Sequence, residues 1–190
     1  MTKKIRNLVI IAVVAVFAVI VAANCFTIVD AGHTGVVVTL GKVNEGVLQE
    51  GMHLKAPFVQ KVVKIDNRIV KLEVDTEAFS KDLQTVATTL AINYRVDTSK
   101  SYSIYKNIGA DYENVLVAPA VNEVLKAITA QYTAEESVTN RALISDGLIQ
   151  GLNEKLNNIG LYITDVNIIN FDFSDAFITA IEEKQVAQQQ

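Results

Sequence analysis

Three hydrophobic patterns follow one another along the chain. The first is continuous. Leu8 to Ala23 reads LVIIAVVAVFAVIVAA, sixteen residues without a polar side chain. Counted from Asn7 to Val29, the stretch is on the scale of the ~20 residues a helix needs to cross hydrocarbon. In lipid the backbone N–H and C=O groups must be satisfied within the segment, so a lone span is expected to be helical. Leu8, Ile11, Val14, Phe17, Ile20 and Val21 are the expected anchor residues.

The second pattern alternates. His33 to Leu40 (HTGVVVTL) is rich in β-branched residues and reads as a strand. Gly41, Gly46 and Gly51 then mark turns, and Pro57 precedes a second strand over 58–65. From Arg68 to Ala78, Val70, Leu72 and Val74 point one way and Lys71, Glu73 and Asp75 the other. From Gln84 to Val96, Val86, Leu90, Ile92, Tyr94 and Val96 share a face. With Ser80-Lys81-Asp82 as the link, these two runs predict a long antiparallel hairpin.

The third pattern has helical spacing. A short helix is expected over 102–108 and a longer one over 111–132, carrying Val117, Val121, Val124, Leu125 and Ile128. Pro119 falls inside it, so a break is expected near Ala118. Thr133 and Glu136 fit a capping box. The next helix is expected over 139–158, with Ile144, Leu148, Leu152 and Leu156 as its core stripe and Gly160 as its C-terminal cap. Leu161 to Phe173 reads as a strand whose apolar face changes midway, with a bulge expected near Ile168. Ser174 is suited to cap a final helix that runs on to Gln190 and looks cut off in mid-helix.

Charge gives the anchor a direction. Lys3, Lys4 and Arg6 precede the span, and the next lysine after it is Lys42. Basic flanks stay on the cytoplasmic side. The N-terminus is therefore expected inside (cytoplasm or matrix) and the body outside (periplasm or intermembrane space). A cleaved signal peptide is the competing reading, with Val21 and Ala23 at cleavage-site spacing. Its apolar core would be at or beyond the usual ~7–15 residues, which favours an anchor. The formal net charge is −4, and from Asp30 onward acidic residues exceed basic ones by about seven. With no basic stripe, a nucleic-acid partner is not expected.

No catalytic constellation is legible. Cys25 is the single cysteine, which excludes an internal disulfide and paired-cysteine metal motifs. At the edge of the span it is either an acylation site or a small apolar residue. His33 and His53 are the only histidines, too few and too far apart for a metal site. Ser80-Lys81-Asp82 places adjacent side chains in a tight turn, poor geometry for a nucleophile and its base. Neither enzyme activity nor a cofactor is expected.

Several motifs in fixed order resemble one family. Gly35-Val36-Val37 and Gly41 follow the span; then come Gly51-Met52-His53-Leu54-Lys55-Ala56-Pro57-Phe58 and Ile65-Asp66-Asn67-Arg68. Ser80-Lys81-Asp82-Leu83-Gln84-Thr85-Val86 is the sharpest piece. Tyr94-Arg95-Val96, Tyr132 to Glu136 with Arg141, and the run from Phe173 through Glu183 to Ala187 complete the set. Over roughly residues 25–190 the chain resembles the SPFH (band 7) superfamily, and the sharpest piece looks most like prohibitins.

The resemblance implies an α+β fold: a transmembrane helix, then an SPFH domain with a β-rich first half and a mixed second half, then the start of a coiled-coil helix. The segments so implied are 1–6 (basic N-terminus), 7–29 (anchor), 30–98 (membrane-proximal part), 99–173 (second part) and 174–190 (C-terminal helix). The resemblance also implies a non-enzymatic membrane scaffold in large homo- or hetero-oligomers, with membrane lipids and a membrane-bound AAA protease as partners. A stoichiometric protease regulator without a cage and a lipid-binding module are the alternatives. Met52, Leu54, Phe58 and Val59 are candidates for the membrane interface, with core packing as the competing role. Phe177, Ile181 and Lys184 are candidates for the oligomer interface.

Overall fold

A computed structural model describes residues 3–173 and 177–179, with side chains from Asn7 onward. The side chains of Lys3, Lys4 and Arg6, and the expectations placed on Ser174, Ile181 and Lys184, lie outside the described residues. The architecture is α+β. Contacts divide it into two units, Met1–Asn67 and Arg68–Gln190.

The first unit begins with α1 (Lys3–Asn24), which is long and apolar enough to cross a membrane and is unburied over Asn7–Asn24. The helix stops five residues before the expected end of the span. Asn24 turns its side-chain amide back onto the Ile20 carbonyl at 2.8 Å, satisfying a carbonyl of the last turn. The following residues alternate and form a strand, β1 (Phe26–Val29), instead of continuing the helix. β1 pairs antiparallel with β4 (Gly51–Leu54). A second sheet has the order β3–β2–β5, built from β2 (His33–Thr39), β3 (Lys42–Val43) and β5 (Gln60–Asp66). Val36 and Ile65 of this sheet and Val29 of β1 are the buried apolar residues of the unit. Gly35 allows the close approach at this core: a Cβ there would lie 2.8 Å from Val62 and 2.9 Å from Val29.

The second unit is a sheet covered on one face by helices. The predicted hairpin is present: β6 (Val70–Phe79) and β7 (Thr85–Val96) pair without a register shift. β8 (Leu161–Ile168) pairs with the other side of β7. β6, β7 and β8 thus share one sheet within the unit Arg68–Gln190. After α2 (Ser101–Asn107), Glu113–Val117 makes one π-helical turn, and α3 (Ala118–Thr129) starts with Pro119 in its first turn. The expected break is thus a change of helical winding at Ala118, where the π-helical turn runs into α3 ahead of Pro119 and its missing N–H.

Thr133 and Glu136 form the capping box. It opens a separate short helix, α4 (Ala134–Thr139), that the single expected helix did not include. α5 (Arg141–Leu156) follows, with Ile144, Leu148, Leu152 and Leu156 all buried. α3 packs on β6 and α5 on β8.

The register against β7 shifts twice: at Thr164, opposite Asn93/Tyr94, which was not expected, and again between Ile168 and Asp172, where the bulge near Ile168 was expected. Leu161 and Ile163 are buried before the first shift, and Val166 and Ile168 after it. Past Ile168 the chain leaves the ladder. The Asn170 side chain accepts the Thr89 N–H at 2.7 Å, and β9 (Asp172–Phe173) resumes pairing opposite Val86 and Ala87.

Candidate functional site

The residues singled out for a membrane converge on one end of the first unit. At the end of α1 the Cys25 N–H donates to the Ala22 carbonyl, and the Cys25 carbonyl accepts from the Lys55 N–H at 2.7 Å. That second bond starts the β1–β4 ladder, so β4 ends where the helix ends. The register places Phe26 opposite Leu54 and Ile28 opposite Met52. With a side-chain period of two, all four lie on one face of this two-stranded sheet. All four are exposed, Met52 at 70% and Leu54 at 74%. Thr27 and Val29 face the other way, and Val29 is buried.

Two turns at the same end add apolar side chains. Thr39 of β2 lies opposite Gln60 of β5, and the Leu40 N–H donates to the Val59 carbonyl. The link from β4 to β5 is tied by two bonds between Ala56 and Gln60: the Gln60 N–H to the Ala56 carbonyl, and the Ala56 N–H to the Gln60 side-chain oxygen. Between them Phe58 is held at φ 64° and is 78% exposed. Leu40 and Gly41 connect β2 to β3 with φ of 48° and 87°, and Leu40 is 81% exposed. Positive φ costs an L-residue roughly 1–2 kcal/mol. The non-glycine residues held there are Leu40, Phe58 and Leu83, each large, apolar and exposed.

Charge sorts along the same axis. Residues 38–43 and 53–63 contain Lys42, Lys55 and Lys61 and no carboxylate. At the opposite ends of these strands lie Asp30, Glu50 and Asp66. There Lys64 is 2.8 Å from Asp30, and its ammonium holds the Asp30 carboxyl below the usual aspartate value, first by the hydrogen bond and then by its charge.

The remaining expected residues fall as follows. Leu8, Ile11, Val14, Phe17 and Ile20 are exposed along α1, and Val21 is half-buried. Met52, Leu54, Phe58 and Val59 are exposed, which disposes of core packing for them. Phe177 is half-buried and lies 5.4 Å from Phe173, centroid to centroid, beside an apolar hollow that Ala134 and Val138 also line. His33 is 3.7 Å from Asp66, and His53 meets the Gln49 carbonyl at 2.6 Å. Among the described residues no group of three or more His, Cys, Asp or Glu side chains is placed to hold a metal ion. Sequence reasoning missed Phe26, Ile28 and Leu40. The alternation Phe26-Thr27-Ile28-Val29, directly after the helix-ending Asn24, was the available signal for the first two.

Comparison with known proteins identifies the family. A family model described as "SPFH domain / Band 7 family" matches residues 27–190. The chain is 36% identical over 162 residues to "Prohibitin-1" of Saccharomyces cerevisiae, covering 85% of this chain and 56% of that protein. It is 39% identical over 163 residues to "Mitochondrial prohibitin complex protein 1" of Caenorhabditis elegans, covering 85% and 59%. It is 37% identical over 163 residues to "Prohibitin 1" of Mus musculus, covering 85% and 60%. The chain thus spans somewhat over half the length of the curated relatives it matches.

Proposed function

This chain belongs to the SPFH domain / Band 7 family, and from that premise we propose that it is a membrane-anchored scaffold whose first unit rests its apolar end in the bilayer surface. α1 spans the membrane with Lys3, Lys4 and Arg6 on the inner side, and the body stands on the outer side. Phe26, Ile28, Met52, Leu54, Leu40, Phe58 and Val59 enter the interface, and Lys42, Lys55 and Lys61 reach the headgroups.

The observation that carries this reading is the placement of strained, exposed apolar side chains, Leu40 and Phe58, at the end where α1 meets the sheet. In water that arrangement costs both strain and exposure. In the interface each such side chain contributes up to ~2 kcal/mol as its apolar surface leaves water. Site-directed spin labels at positions 40, 54 and 58 of the full chain in lipid nanodiscs test it. Labels there should be reached by oxygen and shielded from a polar relaxation agent, while a label at position 50 should show the reverse. Equal access of the polar agent to all four positions would reject the interface.

The scaffold acts by assembly. Side-by-side copies wall off a patch of membrane and govern access of a membrane AAA protease, or other membrane proteins, to that patch. Phe177, Ile181 and Lys184 lie on the segment proposed to join copies. Support comes from the family and from the word "complex" in the name of the Caenorhabditis elegans relative. Particle mass in mild detergent tests it: many times the 20.7 kDa chain is expected, and a monomer would leave the chain without a scaffold role.

A further inference from the structure

β6 lies at the end of its sheet. One side of it pairs with β7 through ten residues in unbroken register. Among the described residues no strand pairs with its other side. In an antiparallel strand every second residue turns both its N–H and its C=O away from the neighbour, so β6 offers about five such residues to an incoming strand. Long edges of this kind are usually blunted by proline, a bulge or shortness. β6 has no proline, no glycine and no register shift. It is also held in place from its inner face, where Val74 and Ala78 are buried and the Thr76 hydroxyl bonds to Asn122 of α3.

The exposed face decides what can pair there. It carries Lys71, Glu73, Asp75 and Glu77 in alternation. A second copy of β6 fits badly. Antiparallel registers that keep the two apolar faces together and overlap by more than five residues all set carboxylate opposite carboxylate. Centred on Val74, Glu73 meets Asp75 twice, with Lys71 opposite Glu77 as partial relief; centred on Asp75, that residue meets itself and Glu73 meets Glu77 twice. Directly opposed like charges destabilise a strand pair. A strand with a cation at every second position meets the opposite situation. Its competitors are the Lys71–Glu73 pair at 2.7 Å and the Thr89 hydroxyl on Asp75 at 2.8 Å, both exposed and therefore weak. The alternate side chains of that strand would turn toward the face on which α3 packs, where the Thr76 hydroxyl already bonds to Asn122, and short polar side chains suit that face.

We propose that the free edge of β6 takes up an extended segment of a partner protein in which lysine or arginine alternates with small polar residues. The segment adds a strand to the sheet, its backbone supplying the ladder and its cations facing Glu73, Asp75 and Glu77. This inference stands apart from the membrane reading, since it uses the second unit alone.

The test uses the full chain in nanodiscs of zwitterionic lipid and a fluorescent, acetylated and amidated eight-residue peptide of alternating lysine and threonine. Saturable binding is expected, with slowed hydrogen exchange of β6 amides. Replacing Glu73→Gln and Glu77→Gln together should weaken it about tenfold, as expected for two lost cross-strand charge pairs. A peptide N-methylated at every second residue keeps its charge and loses its ladder donors, and it should not bind. Three results would each overturn the proposal. One is no binding to the unaltered chain. Another is equal binding of the N-methylated peptide, which would mean charge adhesion alone. The last is β6 amides already protected without peptide, with crosslinks joining β6 of two copies.

Discussion

At Leu40 the proposed membrane contact works against stability. A two-residue turn with both φ values positive is the hairpin type that favours Asn-Gly, because asparagine tolerates the left-handed region far better than leucine. Here Leu40 fills the first position and Gly41 the second, with φ of 48° and 87°. Leu40→Asn should therefore stabilise the first unit by about 1 kcal/mol. The same change should reduce insertion into the bilayer. Denaturant unfolding in micelles measures the first effect, and quenching by brominated lipid of a fluorophore near position 58 measures the second. A variant that gained stability with unchanged quenching would remove Leu40 from the interface. Gly35 is the opposite case, a residue fixed by packing alone. A methyl group there meets Val62 and Val29 at under 3 Å, so Gly35→Ala should cost about 2 kcal/mol in the same titration.

At the scale of elements, the β6–β7 turn is held to the start of α4 by a clasp. Asp82 accepts from the Ser80 hydroxyl at 2.6 Å and from the Ala134 N–H at 3.0 Å, and the Lys81 N–H donates to the Tyr132 carbonyl. The Ser80 hydroxyl first, and the Ala134 N–H against the opposing effect of burial, hold the Asp82 carboxyl below its ordinary 3.8. A depressed carboxyl stabilises the fold fully above its unfolded value and loses that contribution as pH falls through the folded one. Asp82→Asn should cost about 1 kcal/mol at neutral pH, since charge-assisted bonds become neutral ones. It should also make the stability loss below pH 3.8 shallower than in the unaltered chain. An unchanged acid limb in an unfolding series from pH 6 to about 2 would count against the clasp.

The hairpin itself was legible in the sequence because one face alternates without interruption, from Val70 to Ala78 and from Val86 to Val96. Three features were not. β1 adjoins an apolar span, so Phe26 and Ile28 extend the hydrophobic run and hide its change of period. The shift at Thr164 shows locally only as the change from Leu161 and Ile163 to Val166 and Ile168, too short a run on either side to fix a bulge before pairing with β7 does so. The gathering of Leu40 and Phe58 at one end depends on which strands pair. Sequence names Phe58 as a candidate and has no means to join it to Leu40.

At the scale of the whole molecule, charge limits how the chain meets lipid. The net charge is −4, and the part beyond the span is more acidic still, so general attraction to an anionic surface is absent. In the proposed membrane contact, the attraction comes from Lys42, Lys55 and Lys61, placed in the carboxylate-free stretches beside the exposed Leu40 and Phe58. A lysine near an anionic surface contributes about 1 kcal/mol, and the effect falls away within a Debye length. In the proposed orientation the carboxylates at the far strand ends, Asp30, Glu50 and Asp66, face away from that surface and oppose the attraction only weakly. Replacing the three lysines by glutamine should leave insertion into zwitterionic bilayers unchanged, because the apolar residues remain. In bilayers containing anionic lipid it should abolish the extra depth that the unaltered chain gains at low salt. Brominated-lipid quenching across a salt series in both bilayers separates the two contributions. A fall in quenching in zwitterionic bilayers would mean that the lysines position the loops themselves, and an anionic-lipid response that survives the substitution would move the attraction to another part of the chain.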